Sequence, residues 1–171
     1  FQTDQTIKTI FMRHGKALSQ IELVNFHRVI DSGDSIWGSW WAMEWVEGET
    51  LTHMIQQGIR WESKRLLLLM TQLCDALISL HQQGIIHGDL TTSNIFFYKD
   101  KIYLIDFGLS KFSDKIEDKA TDIHLLKECL NSRHSLNYKK LWLTFIKEYN
   151  DTLVLERLRK IESRVRYNRI S

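Results

Sequence analysis

The sequence predicts an α+β chain in two parts, a reduced β-rich N-terminal lobe over residues 1–47 and an α-helical C-terminal lobe over 48–171. Three observations predict it. Toward the N-terminus, Thr6–Phe11 alternates polar and apolar positions, and His27–Asp34 and Ser39–Gly48 read as strands on either side of a turn. From Ser63 onward the apolar positions recur at three and four, the helical period. Between the long helical patterns lie two short strand-like runs, Ile95–Tyr98 and Lys101–Ile105, joined by Lys99-Asp100, a hairpin-turn pair.

Composition sets limits on function. A chain of 171 residues suffices for one well-cored domain, or one lobe plus a remnant of another. Its 43% hydrophobic and 26% charged residues are ordinary for a globular protein. A net charge of +2 does not by itself point to nucleic acid, although Arg157 to Arg169 holds most of the local basic excess. Cys74 and Cys129 have neither metal-ligand nor redox spacing and read as reduced core residues of a cytosolic protein. The run Leu66–Met70 is too short to span a bilayer, and no signal peptide is visible. There is no proline, where usage of about 5% would give roughly eight, and nothing physical accounts for that. A chain opening on Phe1 is expected to lack its natural N-terminus.

In order along the chain, Thr6–Phe11 alternates as a strand would, and Ala17–Phe26 is expected to be a short helix. His27–Asp34 reads as a strand entering a turn, and Ser39–Gly48 as a Trp-rich strand leaving one. Thr50–Gly58 is a short helix closed by glycine. Ser63–Gln83 is the longest helix, with Leu66, Leu69, Leu73, Leu77 and Leu80 on one face and Gly84 as its C-terminal cap. Helical patterns return near Glu117–Leu130, Tyr138–Tyr149 and Thr152–Val165.

The chemistry concentrates in Ile86-His87-Gly88-Asp89-Leu90-Thr91-Thr92-Ser93-Asn94-Ile95 and in Leu104-Ile105-Asp106-Phe107-Gly108. They supply a carboxylate, an amide five residues later, and a second carboxylate on a glycine-punctuated turn. One carboxylate and one amide, with phosphates and water completing the shell, suit magnesium, which prefers hard oxygen ligands.

These residues resemble the catalytic motifs of protein kinases, and the fuller pattern is more specific. His87–Asn94, Ile105–Ser110 and Glu117-Asp118-Lys119-Ala120-Thr121-Asp122, with Met43–Gly48 as a hinge and Arg13-His14 after Lys8, resemble the small atypical kinase/ATPase of the KEOPS tRNA-modification complex. The match is good over Met43–Asp122, loose over the C-terminal helices and poor over the first forty residues. The resemblance implies a protein-kinase-like fold and Mg-ATP-dependent phosphoryl transfer supporting threonylcarbamoyl-adenosine formation on tRNA. It makes Asp89 the catalytic carboxylate, with Asn94 and Asp106 completing the catalytic set as Mg²⁺ ligands. Lys8 would be the strand lysine on the ATP phosphates and Glu22 its helix partner. Met43 would be the gatekeeper, and the Glu44 to Val46 backbone would face the adenine edge. Asp122 would brace the catalytic loop. A threonylcarbamoyl transferase subunit is the implied protein partner, with possible tRNA contact through the basic tail Arg164–Arg169, no membrane association, and a cytoplasmic location that extends to the nucleus in eukaryotes.

Departures from the family shape further expectations. Seven residues before Lys8 cannot hold the two strands and the phosphate-covering loop that kinases place there. Gly88 stands where most protein kinases have arginine, so no loop cation is present to pair with a phosphorylated activation segment, and activity is expected to be independent of Ser110 or Ser113 phosphorylation. His-Gly-Asp with a downstream Asn also suits small-molecule phosphotransferases of the aminoglycoside or choline type, which Asp106-Phe107-Gly108 and Glu117–Ala120 argue against. A non-catalytic kinase-like interaction module is the remaining alternative.

Overall fold

The computed structural model describes residues 2–20, 25–45, 47–59, 62–133 and 138–168. Helix α1 (Gln2–Leu18) precedes a hairpin of β1 (Val29–Ser35) and β2 (Gly38–Met43). Then come β3 (Glu49–Thr50), α2 (Leu51–Gln56), α3 (Ser63–Gln82), β4 (Ile85–Ile86), β5 (Ile95–Tyr98), β6 (Lys101–Leu104) and β7 (Lys111–Phe112). Helices α4 (Ile116–Arg133), α5 (Tyr138–Glu148) and α6 (Thr152–Asn168) follow. The α+β class holds, with small antiparallel sheets set among helices.

The N-terminal expectations need correction. Thr6–Phe11 lies inside α1 rather than in a strand. Its alternation coexists with Ile7, Ile10 and Phe11 at helical spacing, a stripe continued by Leu18, and packing selects the helical period. Phe11 stacks on Trp41 of β2 with centroids 4.3 Å apart. Gly15 lets the helix approach so closely that a Cβ there would lie 2.3 Å from the Trp41 indole nitrogen. The helix expected over Ala17–Phe26 is not seen at its described ends, and residues 21–24 lie outside the described residues. Instead α1 ends at Leu18, Asn25 has φ of 68°, and Phe26 forms a parallel bridge to Leu104.

The remaining elements follow their periodicities. Thr50 caps α2 by accepting a hydrogen bond from the His53 backbone N–H. Along α3, Leu69, Leu73, Leu77 and Leu80 are buried; full burial of one leucine stabilises by about 1.5–3 kcal/mol. The helix closes at Gly84, whose φ of 68° a β-carbon would disfavour. Lys99 and Asp100 both have positive φ (46° and 63°), the primed turn that matches strand twist in a two-residue hairpin. The pairing of β4 with β7 has no local signature, since it joins Ile85 to Phe112. Helices α3 and α5 pack together, as do α4 and α6, and Phe145, Leu126 and Leu158 fill the space between.

Candidate active site

The loop after β4 is held from below by one carboxylate. Asp122 on α4 is 1% exposed. Its Oδ2 accepts the His87 backbone N–H at 2.7 Å, and its Oδ1 accepts the Gly88 N–H at 2.8 Å. The same Oδ2 lies 3.2 Å from His81 Nε2, and His81 Nδ1 lies 2.7 Å from the Tyr149 hydroxyl. His87 is fully buried. Burial pushes its pKa below the ordinary 6.5, outweighing the opposing pull of Asp122, so the ring is neutral. Nε2–H then donates to the Ile105 carbonyl at 3.1 Å, which leaves Nδ1 to accept the Asp89 N–H at 3.4 Å. Gly88 needs to be glycine. Its φ is 83°, and a Cβ would sit 2.4 Å from the Leu109 carbonyl oxygen.

Asp89, Asn94 and Asp106, apart in sequence, meet at the open end of the β5–β6 hairpin. Asn94 Nδ2 donates to the Asp89 carbonyl at 2.8 Å and to its Oδ2 at 2.9 Å. Both partners are acceptors, so the amide NH₂ must face Asp89 and Oδ1 faces away from it. The Ile105 N–H donates to the Asn94 carbonyl at 3.0 Å, continuing the Ile95–Leu104 register and setting Asp106 beside Asn94. Asp106 is exposed and left-handed, with φ of 62°, a conformation that aspartate tolerates better than most residues. Phe107 anchors the turn, buried against His87 (4.8 Å) and Phe26 (5.7 Å).

Side chains with no motif behind them hold the loop laterally. Thr52 of α2 lies 2.8 Å from the Thr92 hydroxyl and 3.0 Å from that of Ser93, while its N–H donates to the Thr92 carbonyl. From α4, Cys129 Sγ accepts the Thr92 N–H at 3.1 Å. Cys129 is therefore half-buried against the loop rather than a core cysteine. Cys74 is buried, and its thiol is pushed up to about 12, chiefly by burial.

The other expected site residues fare differently. Met43 ends β2 and packs against the core. The Glu44 N–H is spent on the Arg28 carbonyl at 2.9 Å, and its own carbonyl has no partner among the described residues. Val46 and Glu22 lie outside the described residues. Lys8 stands on α1 rather than on a strand, and its ammonium pairs with Asp34, which it holds below the ordinary carboxylate range. Asp34 faces Ser39, four residues along β2 from Met43, or ~13 Å at strand rise. Lys8 is thus directed toward the hairpin tip and does not join the Asp89 cluster. Phe96, which no motif marks, lies against the hinge end: a Cβ on Gly48 would be 2.8 Å from its ring.

A family model described as Protein kinase domain matches residues 8–136, well over half of the chain. The chain belongs to the protein-kinase family. That is an ATP-binding family. Among curated proteins, the chain is similar to a Pyrococcus abyssi protein named KEOPS complex subunit Bud32, 35% identical over 133 residues, covering 74% of this chain and 59% of the relative. A Methanococcus vannielii protein named probable bifunctional tRNA threonylcarbamoyladenosine biosynthesis protein is 36% identical over 130 residues, 74% of this chain and 22% of the relative. A Methanocaldococcus jannaschii protein of the same name is 41% identical over 93 residues, 52% of this chain and 17% of the relative. The chain thus spans about three fifths of the first relative and about a fifth of the bifunctional ones. No described helix of this kinase-family chain is long and apolar enough to cross a membrane.

Proposed function

We propose that the chain carries out Mg-ATP-dependent phosphoryl transfer as an atypical serine/threonine kinase or ATPase, of the type that supports threonylcarbamoyl-adenosine formation on tRNA. The observation that carries this reading is the Asn94 amide, pinned to Asp89 by two hydrogen bonds with its oxygen turned away, beside the exposed carboxylate of Asp106. Asn94 Oδ1 and the Asp106 carboxylate are the hard oxygens that would hold Mg²⁺. The metal would neutralise phosphate charge as it develops. Asp89 Oδ2, kept in place by Asn94, would orient the attacking hydroxyl and accept its proton. Met43 would bound the adenine slot, with the Glu44 carbonyl and the Val46 N–H on the adenine edge. Residue 47 would be the boundary between the small lobe and the helical lobe. Lys8 is left out of this scheme, since it stands on α1 and its ammonium pairs with Asp34.

The names of the relatives support the wider role: one is a KEOPS complex subunit, and others are bifunctional threonylcarbamoyladenosine biosynthesis proteins. We take a threonylcarbamoyl transferase subunit as the partner and the cytoplasm as the location. The experiment is Mg²⁺-dependent ATP turnover by the purified chain and by Asp106→Ala, each with and without such a transferase. Turnover that requires Asp106 and rises with the partner is expected. Turnover untouched by the substitution would remove Asp106 from the metal site and overturn the reading.

A further inference from the structure

The phosphoryl-transfer scheme leaves unused a chain of buried polar side chains that runs away from the catalytic loop. Tyr149, just past the end of α5, is 2% exposed; His81, in the last turn of α3, is 3%; Asp122 on α4 is 1%. Their contacts are sequential, from Tyr149 Oη to His81 Nδ1 (2.7 Å), from His81 Nε2 to Asp122 Oδ2 (3.2 Å), and from Asp122 to the N–H groups of His87 and Gly88 (2.7 and 2.8 Å). Asp89, the proposed catalytic carboxylate, is the next residue.

Proton placement gives this chain a direction. A neutral imidazole has one N–H, and which nitrogen carries it is set by what the other meets. Facing the Asp122 carboxylate, Nε2 must be the donor, because a lone pair there would oppose the anion. In the neutral ring Nδ1 is then an acceptor, and the Tyr149 hydroxyl 2.7 Å away is placed to donate to it. Burial first, and the negative charges of Asp151 and Asp122 after it, push the Tyr149 phenol above its ordinary range, so the hydroxyl keeps its proton.

We propose that Tyr149 is a positioning residue for the catalytic loop: by donating to His81 Nδ1 it holds the His81 ring with Nε2–H on Asp122, and so fixes the Asp122 carboxylate that carries the His87 and Gly88 amides. The inference rests on the phosphoryl-transfer reading for its activity readout only. It ties the α5–α6 elbow, where Asp151 caps α6 by accepting the Leu153 and Val154 N–H groups, to the residue before Asp89. Without the hydroxyl, Nδ1 loses its donor, and the His81 ring is free to turn and loosen its Nε2–H bond to Asp122.

Tyr149→Phe tests this, because it keeps the ring stacked 5.6 Å from Phe145 and edge-on to His81 while removing one oxygen. Long-range ¹H–¹⁵N spectra of histidine-labelled protein report the tautomer, with His81 assigned by the signal lost in His81→Gln. The expected result is Nε2–H in the wild type and, in Tyr149→Phe, shifted His81 ring nitrogen signals as the ring loosens from Asp122. Faster amide exchange at His87 and Gly88 accompanies it, and kcat for ATP falls on the order of tenfold, the rate equivalent of one hydrogen bond, with KM nearly unchanged. A glutamine at 81 can donate its own amide to Asp122, so in a His81→Gln background Tyr149→Phe should have no further effect on loop exchange. An Nδ1–H or doubly protonated His81 in the wild type overturns the proposal. So does a slower Tyr149→Phe enzyme whose His81 ring signals have not moved, or an undiminished effect in the His81→Gln background. If the wild type turns over no ATP, the phosphoryl-transfer reading fails, and the tautomer and exchange measurements still decide the role of Tyr149.

Discussion

Removal of Asp122 is the sharpest test of how the catalytic loop is held. In Asp122→Ala, the His87 and Gly88 N–H groups lose acceptors at 2.7 and 2.8 Å. The site is 1% exposed, so bulk water does not replace them. Each orphaned backbone donor costs about 1–3 kcal/mol, so the loss is about 2–6 kcal/mol. That is a large share of the roughly 5–15 kcal/mol that holds a domain folded. Asp122→Asn keeps one carbonyl oxygen and turns an NH₂ toward the other donor, so about half of that loss is expected. Asp75→Ala, an exposed carboxylate on α3, is the control and should stay within about 0.5 kcal/mol of wild type. Urea unfolding followed by circular dichroism measures all three, and amide exchange at His87 and Gly88 locates the effect. If Asp122→Ala unfolds within about 1 kcal/mol of Asp75→Ala, with loop exchange unchanged, Asp122 does not hold the loop.

Four further outcomes follow from the same geometry. Gly88→Ala places a Cβ 2.4 Å from the Leu109 carbonyl at φ of 83°; left-handed strain alone costs about 1–2 kcal/mol, so a lower melting temperature and weaker turnover are expected, and an unchanged melting temperature would contradict the close approach. Leu77→Ala, at a position with no exposure, should cost about 2–5 kcal/mol in chemical unfolding without altering the KM for ATP. His87 is neutral in the folded protein and has its pKa lowered by burial, so the unfolded chain takes up a proton first as pH falls. The stability it contributes is present above about pH 6.5 and is lost as pH falls from there through the depressed folded value; His87→Gln should flatten that slope in unfolding measured between pH 5 and 7, and an unchanged slope would show that another group carries it. Phosphate on Ser110 or Ser113 should not activate the enzyme. Ser113 Oγ already donates to Asp118 at 2.6 Å, and Lys111 is paired with the same carboxylate at 2.7 Å; a large rise in turnover tracking phosphate at either serine would refute this.

How much of the site could be read from residue order depends on the range of the contacts. Asp89 and Asn94 lie five residues apart, and Asp106 follows on the return strand of a hairpin whose turn, Lys99-Asp100, is itself a local signal. Such geometry is set by backbone conformation within about twenty residues, so the sequence alone determined it. The same is true of α3, whose leucines recur at the helical period, and of the caps at Thr50 and Gly84.

Tertiary structure decided the rest. Thr6–Phe11 satisfies both the two-residue and the helical period, and only the Trp41 ring against Phe11 and Gly15 selects the helix, which takes Lys8 to Asp34 and away from the site. Pairing of β4 with β7, the grip of Cys129 and Thr52 on Thr92, and the Tyr149–His81–Asp122 chain join residues 25 to 68 positions apart. No periodicity encodes them. They exist because packing the helices buries polar groups that must find partners in the folded chain, and where those partners lie is fixed by the packing.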